Sequence, residues 1–210
     1  MTRKSKLRWA ATLGVVVALS VSVKILRWTG MACPFGKNLT AEAVEASRQR
    51  GMTALMGTKS AVKRPALGLV LASTTEPQAE SWARAHLLEC RREVRGMHFL
   101  SCKEPGKEAT YTLAFNPAGK LVAVDLFRRK VSVESAESLL GSVADTLQND
   151  LGPPHHKGGE FTRSYLYGGS EVKISFIEYR FRDYIAMVTA SYLPWSGLTV
   201  HEQYSQVGTI

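Results

Sequence analysis

Three cysteines, one histidine pair and a scatter of carboxylates are the residues of this 210-residue chain whose chemistry could be put to use. Cys33, Cys90 and Cys102 make an odd number, so one thiol is left over if two pair. Cys90 and Cys102 lie close together in the chain, and a bridge between them is the favoured pairing. Closing a loop that short stabilises by roughly 3 kcal/mol in the chain-entropy model. The competing reading is two buried thiols acting as small hydrophobes. His155 and His156 stand in "GPPHHKGGE" with Glu160 nearby, and two imidazoles with a carboxylate can hold a transition metal. Adjacent residues of an extended chain point apart, however, so a solvated loop after a helix is the better reading of these three weak metal candidates. There is no G-x-S-x-G nucleophile turn, no G-x-x-x-x-G-K-[ST] phosphate loop and no C-x-x-C-H haem attachment. No catalytic residue and no cofactor is therefore assigned, and the expectation is a non-catalytic protein. One alternative is an envelope hydrolase or metal-dependent enzyme near His155 and Glu160; another is a lipid or small-ligand carrier.

The compartment that would permit a disulfide depends on the amino-terminal segment. "RWAATLGVVVALSVSVKILRW" holds an uninterrupted apolar run from Trp9 to Val23. That length suits the core of a signal peptide and is short for a span of ~20 residues. Lys24 can carry its ammonium to the headgroups on an apolar stem, and Ile25 and Leu26 then extend the run. Trp9 to Trp28 covers roughly 28 Å as a helix, close to the hydrocarbon thickness of a bilayer. Arg8, Trp9, Lys24, Arg27 and Trp28 are the residue types that favour the two interfaces. A cleavage or lipidation site is poorly formed, because positive charge follows the run directly. The expectation is a retained anchor over residues 9–28, with a basic tail (1–8) in the cytoplasm and the remainder outside. Gly14, Ala18 and Ser22 recur at four-residue spacing, a stripe that would let another membrane helix approach.

The anchor also accounts for most of the basicity. The formal charge is +9, but six Lys/Arg flank the apolar run, and from Met31 onward 21 Lys/Arg oppose 18 Asp/Glu. A net of +3 on the folded part disfavours a nucleic-acid partner, since phosphate binding concentrates cations on a folded face.

Residues 29–64 read as a linker or stalk, and the globular part as 65–195. "ALGLVLA" suggests a short buried strand. Thr75, Pro77 and Gln78 form a capping-box start, and Ala79, Trp82, Ala83, Leu87, Cys90 and Val94 keep helical spacing. This predicts a helix that carries Cys90 on its apolar face. "MHFLSC" follows as a strand, and "TYTLAF" and "KLVAVDLF" as a hairpin about Asn116-Pro117-Ala118-Gly119. Ser132 caps a second helix that ends at Gly152-Pro153-Pro154. "FTRSYLY", "EVKISFIEYRF" and "YIAMVTASYL" then predict three more strands. The order is helix and three strands, twice, with a period of roughly 56 to 60 residues. Antiparallel strands each packing one face on helices give a two-layer α+β domain. Residues 196–210 read as a tail, with Tyr192, Trp195, Leu198 and Tyr204 as anchors of a partner interface.

This element order resembles small bacterial envelope modules, namely the assembly-lipoprotein fold of BamE type and the tandem helix-plus-sheet β-lactamase inhibitory proteins. The resemblance covers the globular part, 65–195, and is one of topology; it transfers no residues and implies a binding or assembly role. The expected protein is a single-pass periplasmic or extracytoplasmic accessory subunit of a membrane complex, with the membrane and other proteins as partners.

Overall fold

The computed structural model describes residues 56–94, 97–167 and 171–207, together with residues 46, 50 and 51. The chain divides into two units, Met1–Leu39 and Thr40–Ile210. The first lies outside the described residues, and with it the 9–28 anchor (Arg8, Trp9, Gly14, Ala18, Ser22, Lys24, Arg27 and Trp28) and Cys33. Among the described residues, no helix is long and apolar enough to cross a membrane.

The second unit is a mixed α+β fold dominated by one antiparallel sheet. Two short strands, β1 (Pro65–Ala66) and β2 (Leu69–Val70), pair about a turn at Leu67 and Gly68, both at positive φ. The apolar run there is thus a tight two-strand ribbon rather than one strand. Helix α1 (Glu76–Ala85) begins where the capping box places it: the Thr75 N–H donates to Gln78 Oε1 at 2.8 Å. It stops at His86, well short of Val94, and Leu87 turns the chain at φ 55°. Residues 89–94 leave the helix and pair as β3 (Glu89–Val94) with β4 (His98–Lys103). Cys90 is therefore a strand residue. The 3–4 spacing that predicted a longer helix lost to strand pairing, which satisfies backbone groups along the sheet edge.

The next hairpin, β5 (Ala109–Phe115) and β6 (Leu121–Arg128), turns as predicted. The Gly119 N–H donates to the Asn116 carbonyl at 2.9 Å, and Asn116 Oδ1 accepts from the Lys120 N–H at 2.8 Å. Helix α2 (Val133–Leu151) has the Ser132 hydroxyl accepting from the Ser135 N–H and ends at Gly152, φ 82°. Ala136, Leu140 and Leu147 are its buried stripe. The second half continues with β7 (His156–Gly158), a one-turn helix α3 (Arg163–Leu166), β8 (Lys173–Arg180), β9 (Tyr184–Leu193) and β10 (Gly197–Gln206). Two expectations are corrected here. "FTRSYLY" folds as α3 rather than as a strand, and residues 197–206 are a long strand rather than a tail.

The sheet runs β3-β4-β5-β6-β10-β9-β8-β7. Each half is a helix followed by four strands in meander order, one strand more than the sequence suggested, with α3 inserted between β7 and β8 in the second half. The helices start at Glu76 and Val133, a spacing that matches the expected period. The last strand of each half, β6 and β10, pairs antiparallel along Val200↔Arg128 to Ser205↔Ala123 and forms the seam at the centre. On one face, residues such as Leu100, Leu113, Leu126, Val188, Val200 and Tyr204 pack with Ala79, Ala83 and Leu140 of the helices in one core. Strand alternation explains β10: Leu198, Val200, Glu202, Tyr204 and Gln206 are buried, and the residues between them are half-exposed.

The chain before Pro65 belongs to the fold. The Gly57 N–H donates to the Phe181 carbonyl at 3.2 Å, and the Arg182 N–H to the Lys59 carbonyl at 2.7 Å. Asp183 accepts from the Ala61 N–H at 2.8 Å and from the Arg64 guanidinium at 2.5 Å. Residues 57–64 are thereby strapped to the β8–β9 turn. A Cβ on Gly57 would sit 2.0 Å from the Arg180 carbonyl oxygen, so only glycine allows this approach.

Candidate functional site

Three places gather side chains whose chemistry matters, and two of them lie on opposite faces of the β6–β10 seam. On the helix side, Glu202 is fully buried and receives the Arg128 guanidinium on Oε1 and the Tyr204 hydroxyl on Oε2, the latter at 2.7 Å. Arg128 supplies the countercharge without which a buried carboxylate would be strongly unfavourable. Burial pushes the Tyr204 phenol far above its ordinary range, and the charge of Glu202 raises it further. Tyr204 is a fixed hydrogen-bond donor here.

On the other face, His201 Nε2 lies 2.8 Å from Asp125 Oδ2, and the Gln203 side-chain amide donates to the same oxygen at 3.2 Å. Phe127 meets the His201 ring edge-on at 5.2 Å and carries Arg129 over its face at 5.2 Å. The hydroxyls of Ser191 and Thr199, on a neighbouring rung, hydrogen-bond to each other at 2.7 Å. These contacts fix the orientation of the imidazole.

The third place is apolar. Tyr167, Val172, Ile174 and Trp195 are exposed, Trp195 at 77% and Tyr167 at 63%. They surround one end of the second half, where β8 begins and β9 turns into β10. Tyr167 meets Tyr192 at 6.1 Å, and Tyr192 lies between Lys173 and Leu198 in the register. A groove of about 410 Å³ opens beside them, lined by Val131 to Glu134 at the start of α2 and by Arg163, Tyr167, Tyr192, Gly197 and Leu198. Large apolar and aromatic side chains left in water next to a groove are the composition of interface anchors.

The expected anchors divide. Trp195 is exposed and Tyr192 half-buried, whereas Leu198 and Tyr204 are 3% exposed and belong to the core. The correction follows from β10 being a central strand, which turns every second residue inward. Tyr167, expected on a strand, instead caps the end of α3. The partners of Arg128–Glu202 and Asp125–His201 stand far apart in the chain, at separations of 74 and 76 positions. The period-2 pattern of "GLTVHEQYSQ" was nonetheless there to signal the strand that creates them.

The cysteines pair as expected. Cys90 and Cys102 form a disulfide with a Cα–Cα separation of 4.0 Å, across directly opposed residues of β3 and β4. The histidine loop is dispersed. His155 Nδ1 accepts from the Arg180 N–H at 3.1 Å and its ring abuts Phe181. His156 pairs in register with Glu178 on β8, and Glu160 accepts from the Thr162 hydroxyl at 3.2 Å. Among the described residues, no group of three or more His, Cys, Asp or Glu is placed to hold a metal ion.

Compared with known protein families, with curated proteins and with solved structures, the chain matches none.

Proposed function

We propose that the protein is a membrane-anchored, extracytoplasmic binding or assembly protein, an accessory subunit of a membrane complex. The observation that carries the reading is the exposed aromatic end of the second half: Tyr167, Tyr192 and Trp195 beside the groove at the start of α2. Aromatic side chains give large contact area at low entropic cost, and they concentrate at the centres of protein interfaces. The basic, tryptophan-flanked segment 9–28 supports the anchor, and the disulfide supports an oxidising compartment. Affinity purification of the full chain in mild detergent tests the reading. A stoichiometric companion that is lost from Y167A/W195A supports it; a monomer with no companion overturns it. A mature mass lower by about 3 kDa than the full chain would show that the segment is removed and would sink the anchor.

A carrier is the second reading, and one cavity favours it. About 540 Å³ opens between the β4–β5 turn and α2, floored by Ala109, Val131 and Leu139 and rimmed by Lys107, Arg129 and Lys130. Native mass spectrometry of the purified protein decides: a bound small molecule of fixed mass supports it, and bare protein counts against it.

A further inference from the structure

The geometry points to the Cys90–Cys102 bridge as a site of thiol–disulfide exchange whose substrate is a dithiol, and whose reduction releases the outer strand of the sheet. Cys90 is exposed on β3, the end strand, while Cys102 is fully buried on β4. Attack is therefore possible at one sulfur only. A cavity of about 390 Å³, lined by Ala83, Arg84, Leu88, Cys90 and Arg92 among others, gives access to it.

The reaction balances. A thiolate of the dithiol bonds to Cys90 Sγ, the S–S bond breaks, and Cys102 leaves as a thiolate that takes a proton. The second thiol of the donor then displaces Cys90 from the mixed disulfide. Two electrons and two protons pass to the protein, and the donor leaves as a disulfide.

Reduction matters because β3 is held along one edge only. It pairs with β4 alone. Its side-chain ties to α1 include the ion pairs of Arg92 with Glu80 at 2.5 Å and with Glu76 at 3.3 Å, and the Arg92 side chain is 65% exposed. Ion pairs this open to water contribute little. With the bridge cut, β3 opens as a local unit and leaves the edge of β4 free to accept another strand.

The full chain in mild detergent is treated with dithiothreitol without denaturant, alkylated with iodoacetamide, and followed by mass spectrometry and amide exchange. Reduction in the folded state is expected, with Cys90 alkylated before Cys102. Amides of residues 89–94 should exchange at least about tenfold faster, and those of β6 and β10 at an unchanged rate. Reduction by catalytic reduced thioredoxin would identify the donor as a protein dithiol; a requirement for millimolar dithiothreitol would identify a small one. Resistance to reduction until the protein unfolds overturns the proposal. So does unchanged protection of β3 after complete reduction, or loss of protection that spreads to the seam. C90S/C102S should reproduce the opened strand, and the wild-type reduction stands as the test if that variant does not fold.

Discussion

The two halves of the sheet carry the same order of elements and treat their outer ends differently. The first half has a ten-residue helix whose buried positions are Ala79 and Ala83, and its outer strand β3 is six residues long and tied by a disulfide. The second has a nineteen-residue helix that buries Leu140 and Leu147, and its outer strand β7 is three residues long. Where β7 stops, the chain makes an excursion through α3 that carries Tyr167 to Tyr192. The turns differ in the same way. The β4–β5 turn holds a surface Lys107–Glu104 pair, whereas the β8–β9 turn clamps residues 57–64 through Asp183. An exposed sheet edge invites pairing with other chains and must be managed. One half manages it covalently and the other by shortening the strand, and the shortened edge is where the aromatic surface arises.

The strongest test removes what the halves share. Arg128→Ala leaves Glu202 buried without its countercharge at the seam and should cost about 4 kcal/mol, read from urea unfolding as a lower midpoint. If the two halves then unfold in separate steps, the seam is what couples them. Cys90→Ala/Cys102→Ala should cost about 3 kcal/mol, carried by β3, with faster amide exchange over residues 89–94 and an unchanged rate in α2, β6 and β10. A uniform loss of protection would refute the contrast between the edges. Asp183→Asn weakens the clamp on the second half and should cost about 1–2 kcal/mol at pH 7.

That clamp also has a pH signature. Burial pushes the Asp183 carboxyl up, but the hydrogen bond from Arg64 and that from the Ala61 N–H outweigh it, and the folded pKa lies below the ordinary value. Its contribution is complete above the unfolded carboxylate range, about pH 4, and is lost as pH falls through the folded pKa. The acid limb of the stability curve should therefore flatten in the Asp183→Asn variant; an unchanged limb would remove Asp183 from the account. The smallest effect on stability belongs to Trp195→Ala, under about 0.5 kcal/mol, because the ring is already in water. Its effect on partner capture should be large, about tenfold or more in affinity.

Local chemistry was legible wherever it was sufficient. Thr75 and Gln78 start α1, Ser132 and Gly152 bound α2, and Asn116 to Gly119 turn the β5–β6 hairpin, each through contacts between near neighbours in the chain. The failures share a cause. Leu87, Cys90 and Val94 keep helical spacing, yet a partner strand at 98–103 was available to residues 89–94. Residues 197–206 looked like a tail because nothing nearby in the chain pairs with one side of them. That partner is β6, where Val124 stands opposite Tyr204, and it belongs to the other half of the fold.

The starts of the two long helices, their caps, the hairpin turn and the cysteine pairing follow from residue type and short-range spacing, since hydrogen bonds and loop closure between near neighbours need no distant partner. The central seam, the burial of Glu202 against Arg128, the pairing of Asp125 with His201, and the meeting of Tyr167 with Tyr192 came from the assembled sheet. Each depends on register between strands far apart in the chain, where a shift of one residue would exchange the buried and exposed faces of β10.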